Sequence, residues 1–270
     1  MASDFTRPVS NGSSRIEKLL MRDRLIILLA LAAIVAISWQ YLAVMAANMQ
    51  SMAQMSMPMD MPGMDMTGSS TFVSLFAMWA VMMVAMMLPS AAPTILLVLG
   101  VYRRRGDRFT RQNSLFFVAG YLLAWTAFSA LAAGLQVSLH RAALLTPAMA
   151  ARSAVLGGAI LLIAGIYQWL PFKNSCLGHC HSPLAFLTLH WREGSAGALR
   201  MGLLHGAFCI GCCWALMALL FVAGVMNLLW VAAIATFVLL EKLAPVRLRL
   251  SRVAGAALMI WGSYVLLGAL

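Results

Sequence analysis

Charge is what this chain has least of. Only 10% of its 270 residues are Asp, Glu, Lys or Arg, and just eight of them are acidic. Soluble domains carry roughly 25% charged residues and about 45–50% apolar ones. A chain that is 63% hydrophobic is excluded from that class and reads as a polytopic membrane protein. No nucleotide-binding loop or phosphorylation domain is present, which excludes a self-sufficient ATPase pump. No internal repeat is visible either.

What is there, instead, is a series of apolar runs. A span needs about 20 apolar residues to cross a ~30 Å hydrocarbon core. Seven runs qualify, with six as the alternative count: 25–47, 72–101, 115–137, 153–170, 201–225, 228–243 and 253–270. Pro89 and Pro93 should kink the second. The first, at 23 residues, exceeds the about 7–15 of a signal-peptide core and reads as a retained anchor. The expected organisation is a disordered cytoplasmic tail (1–24), that anchor (25–47), a Met-rich external loop (48–71) and a helical membrane domain (72–270). The domain contains a Cys/His cytoplasmic loop at 171–200.

The basic residues supply orientation. With the N-terminus cytoplasmic, seventeen of the nineteen Lys and Arg fall on the inner side, and only Arg141 and Arg152 lie opposite. Such a bias assigns the net charge of +11 to topology and anionic headgroups, and not to nucleic acid. The implied location is a bacterial inner membrane, crossed several times.

Four groups of residues carry chemistry. The external stretch 48–66 holds Met49, Met52, Met55, Met57, Met59, Met61, Met64 and Met66. Thioethers in water have no hydrophobic reason to accumulate, and as soft neutral ligands they select Cu(I). The bland alternative is a flexible linker, or one that packs on a partner. In the second span, Met78, Met82 and Met86 form one ridge, and Met83 and Met87 the next. Met is an ordinary gap-filler in apolar helices, so these carry weight only beside other ligands.

The fifth run contains "HGAFCIGCCWALM". Cys209, Cys212 and Cys213 share one helix face, with His205 one turn before and Met217 one turn after. Gly206 and Gly211 should let neighbouring helices approach. A thiolate in hydrocarbon needs a cation, which Cu(I) supplies. A lone buried cysteine is usually a small hydrophobe. The sharper rival uses Cys209 and Cys212 as a C-x-x-C thiol–disulfide oxidoreductase, although no partner motif faces outward. The internal run "CLGHCH" offers Cys176, His179, Cys180 and His181, which could hold Zn(II) or pass Cu(I). His190 lies in the same region, where 183–192 reads as a short interfacial helix. Glu241 and Lys242 end the sixth run. Snorkelling to the interface, with mutual pairing or an arginine partner, accounts for them most simply, and a proton or cation relay is the other reading.

The runs "MMVAMMLPSAAP", "CLGHCHSPLAFLTLHWREGSAGALRMGLLHGAFCIGCCWALM" and "FVAGVMNLLWVAAIATFVLLEKLAP" together resemble a bacterial family of predicted metal-binding integral membrane proteins, over roughly residues 72–267. The resemblance implies metal binding through Cys176, Cys180, Cys209, Cys212 and Cys213, with the Met residues 82, 83, 86 and 87. The Met-rich loop is not part of that pattern.

The reading with most support is Cu(I) handling: uptake, transfer or delivery to a membrane enzyme. Its partners would be the bilayer, the metal ion, and a copper-dependent membrane enzyme or a periplasmic copper carrier. A thiol–disulfide oxidoreductase is the first alternative, and a structural subunit whose Met-rich loop docks a partner is the second.

Overall fold

The computed structural model describes residues 12–54, 69–146, 149–244 and 249–269. They form ten helices: α1 Gly12–Gln54, α2 Ser69–Arg104, α3 Thr110–Arg141, α4 Ala154–Tyr167, α5 Pro171–His181, α6 Pro183–His190, α7 Gly194–Ala218, α8 Leu220–Ala223, α9 Leu228–Leu243 and α10 Leu250–Leu267. The described residues contain no strand, only an isolated bridge between Leu145 and Ala151.

Five stretches are long and apolar enough to cross a membrane: Met21–Met49, Thr71–Arg104, Thr110–Arg141, Gly194–Ala223 and Leu250–Leu267. A sixth arises if α4 and α5, bent by 65° at their junction, count as one broken span. The remaining expected span, α9, has 16 residues. At 1.5 Å per residue that is about 24 Å, short of a ~30 Å core. The lipid-like periphery is visible in the large exposed side chains of α1 and α10, including Ile37, Ile260 and Leu267.

Two expectations about polar segments change. α1 begins at Gly12, so 12–24 is helical where a disordered tail was expected, and residues 1–11 lie outside the described set. Asp23 is buried there and pairs with Arg103 and with Arg111, the latter at 2.7 Å, which ties α1 to α2 and α3. The expected internal loop is also mostly helix. Pro171 and Pro183 bound it, but they do so as the first residues of α5 and α6, where proline's missing N–H costs nothing. Ser182 stands between them and caps α6 by accepting from the Ala185 N–H. Of the Met-rich loop, residues 55–68 lie outside the described residues.

Helices pack here through close backbone approach, since apolar burial gives little driving force between helices in lipid. The α3–α7 pair is the most extensive, and three glycines make it possible. A Cβ on Gly202 would sit 2.0 Å from the Phe117 carbonyl oxygen, and one on Gly120 would sit 2.1 Å from that of Leu199. On Gly206 it would meet the Ala124 Cβ at 2.6 Å. This contact turns the cysteine face of α7 inward. Gly211, on another side of α7, admits the Cys176 sulfur of α5, which a Cβ would meet at 2.8 Å. Both glycines singled out from sequence therefore serve helix contacts.

Candidate metal centre

α7 delivers three thiols to the interior. Cys209, Cys212 and Cys213 are each at most 1% exposed, and they share one core with Met78, Met82, Met83, Met86 and Met87 of α2. The Cys212 and Cys213 thiols both donate to the Cys209 carbonyl, each at 3.0 Å, which is the usual fate of a small donor one turn along a helix. α5 brings Cys180, half-buried, whose thiol lies close enough to that of Cys212 for the two to interact electrostatically. Because α5 folds back at the α4 junction, residues from a segment read as a loop reach the centre of the protein.

The other walls are polar in a specific way. Lys242 of α9 donates to the Cys209 sulfur at 2.8 Å and to Ser90 Oγ of α2 at 3.0 Å. Tyr121 of α3 donates to the Met87 carbonyl of α2 at 3.0 Å, with its oxygen 3.2 Å from the same Cys209 sulfur. Five helices, α2, α3, α5, α7 and α9, thus meet around the thiols. An ammonium beside sulfur supplies the positive charge that thiolate chemistry needs in a medium of low dielectric.

Lys242 and Glu241 do not snorkel. Lys242 is 8% exposed and Glu241 3%, both covered by protein. Among the described residues Glu241 pairs with neither Lys242 nor an arginine; its partner is Lys173 of α5 at 2.6 Å, with Ser251 of α10 also donating to it. Lys173, assigned from sequence to a watery loop, is completely buried. Helices that carry charge near their ends usually stand free at the interface, and here α5 and α10 cover them instead.

The remaining sequence-nominated residues divide. Met217 is buried on α7 beyond Cys213. Cys176 lies against Gly211, on the same α5 face as Cys180. His205 packs among the rings of Phe117, Tyr121 and Phe186, at 5.9, 5.8 and 5.1 Å, and its Nδ1 has no partner. His179 stacks on Phe208 at 4.1 Å, and His181 Nε2 reaches the Glu241 carbonyl at 2.6 Å. His179 and His181 are thus turned away from the face that Cys176 and Cys180 share, and the four do not form a tetrahedral set. Among the described residues, no three His, Cys, Asp or Glu side chains form a ready group for a metal ion. A two-coordinate soft ion needs fewer ligands than that, and thioethers can be among them.

Sequence reasoning did not find Tyr121 or Ser90, whose types carry no ligand signal, and it misjudged Lys242. A lysine in the last turn of an apolar helix was the available hint.

No curated protein and no solved structure matches the chain. A family model does, described as PpoB2, copper chaperone, and it covers residues 76–265. That stretch contains α3 to α9 whole and every thiol and buried charge of the centre, so the chain belongs to the PpoB2 family of copper chaperones.

Proposed function

We propose that the protein carries Cu(I) within the bacterial inner membrane and hands it to a copper-dependent membrane enzyme. The ion is held by thiolates drawn from Cys180, Cys209, Cys212 and Cys213, with thioethers of α2 and Met217 close enough in the same core to assist transfer. The observation that carries this reading is the burial of the three α7 thiols, with the Lys242 ammonium 2.8 Å from the Cys209 sulfur and the half-buried Cys180 of α5 beside them.

Charge accounting favours a monovalent ion. Two thiolates and one Cu(I) sum to one negative charge, which the Lys242 ammonium cancels. A neutral assembly is what a buried, low-dielectric site tolerates. Cu(I) is also content with two or three soft ligands, whereas structural Zn(II) takes four. The Met-rich segment outside would collect the ion by its thioethers, and its residues 55–68 fall outside the described set.

The test is metal analysis of detergent-purified protein prepared anaerobically. Wild type is expected to hold about one copper or more per chain, with sulfur neighbours by X-ray absorption. C209S and C212S are expected to fall below half of that. Full copper retention by the quadruple variant C180S/C209S/C212S/C213S overturns the assignment. A Cys209–Cys212 disulfide that cycles with quinone, trapped by native alkylation, would instead favour the oxidoreductase.

A further inference from the structure

Two histidines outside the thiol centre are arranged as ligands. His179 sits in the last turn of α5 and His190 in the last turn of α6. His179 Nδ1 lies 2.9 Å from the Ser175 carbonyl, and His190 Nδ1 lies 3.1 Å from that of Phe186. A carbonyl only accepts, so in each ring Nδ1 carries the hydrogen, and in the neutral imidazole Nε2 is left with its lone pair. This arrangement, with one nitrogen fixed by a backbone acceptor and the other open, is the one metal-bound imidazoles show.

The rings also stand at a suitable separation. Their centroids are 6.0 Å apart, with planes at 60°. Two imidazoles sharing one ion through Nε2, with bonds of about 2 Å each, place their centroids roughly 6 Å apart. Aromatic neighbours hold both rings. Phe208 lies flat on His179 at 4.1 Å and edge-on to His190 at 6.0 Å, while Phe186 stacks on His190 at 5.1 Å. Packing alone would be served by apolar rings. Here two half-buried imidazoles, flanked by phenyl groups, have no hydrogen bond to Nε2 from any described residue.

We propose that His179 and His190 form a second Cu(I) site, two-coordinate and all-nitrogen, next to the thiol centre. The inference rests on the copper-handling reading, and it extends that reading to residues outside the thiol set. Two neutral ligands in an apolar wall suit a linear monovalent soft ion. They do not satisfy Zn(II), which takes four ligands, or Mg(II) and Ca(II), which take oxygen. Phe208 is the chain neighbour of Cys209, and the His205 ring bridges the two regions through Phe186. On its far side His190 borders a cavity of about 690 Å³ shared with Trp191, Arg192, Arg200 and Met201. The pair thus lies between the buried thiols and a face that an acceptor can reach. Imidazoles hold Cu(I) less tightly than thiolates, as a transfer stage requires.

The test uses full-length protein in detergent under anaerobic conditions, titrated with Cu(I) against a colorimetric chelator. Wild type is expected to show a tight and a weaker class of site. H179F/H190F, which keeps the ring packing, should weaken the second class at least tenfold and leave the first intact. In wild type, the second equivalent should add nitrogen neighbours to the X-ray absorption spectrum. A titration of H179F/H190F that overlays wild type, or sulfur-only surroundings for both equivalents, overturns the proposal. C180S/C209S/C212S/C213S separates the two readings. It should lose the tight class and keep one ion bound by nitrogen. Retention of the tight class in that variant would sink the thiol assignment without touching the histidine pair.

Discussion

Glu241 and Lys242 are neighbours on one helix, and they live in opposite kinds of surroundings. The Glu241 carboxylate is held by a full partner, the Lys173 ammonium, itself bound to Gln168. Its second oxygen has no partner among the described residues, and Glu241 borders a cavity of about 370 Å³ lined also by Arg249, Ser251 and Arg252. Among the described residues the Lys242 ammonium meets no carboxylate, only a hydroxyl and a sulfur. The first arrangement joins α4, α5, α9 and α10. The second leaves a cation whose charge is balanced only when sulfur becomes anionic or enters a metal complex. One charge holds the helices together, and the other waits on chemistry.

That contrast can be broken by removing one partner at a time. Lys173→Ala should have the largest effect, because it strands Glu241 in the interior. A loss of about 3–5 kcal/mol is expected, read as a lower midpoint in detergent unfolding, and K173M/E241M should recover much of it. Lys242→Met should barely move that midpoint, yet lower Cu(I) affinity about tenfold in chelator competition, in line with losing a charge-assisted contact of roughly 1.5–3 kcal/mol. An unfolding loss as large as that of Lys173→Ala would erase the distinction. Cys212→Ser and Cys176→Ser sharpen it within the thiols. The first should cut bound copper by about half or more. The second should leave copper near wild type, since Cys176 faces Gly211 and is no hydrogen-bond partner of the α7 thiols. Tyr121→Phe should be the smallest, costing about 1 kcal/mol for the lost bond to the Met87 carbonyl and leaving copper stoichiometry unchanged.

The long apolar runs and the face shared by Cys209, Cys212 and Cys213 were readable from periodicity, because both follow from 3.6 residues per turn. α5 was hidden by its composition. "PFKNSCLGHCH" is too polar to look like part of a span, and two bounding prolines read equally as loop limits or as helix starts. Once it is a helix, Cys176 and Cys180 fall one turn apart on one face, so the spacing was in plain view but its meaning depended on a tertiary bend. Lys242 was misread for a different reason. Charge at a helix end is priced by what covers it, and no local pattern announces that α2 and α7 do so here.

α9 stops early. Lys242, in its last turn, reaches Ser90, which lies fourteen residues or roughly 21 Å along α2 from Arg104. A helix that ends inside a protein leaves its final carbonyls pointing inward, and with them the negative pole of its dipole. That pole lies at the level of the Cys209 sulfur. The backbone itself therefore contributes a standing attraction for any positive charge at that depth, whether an ammonium or an arriving ion.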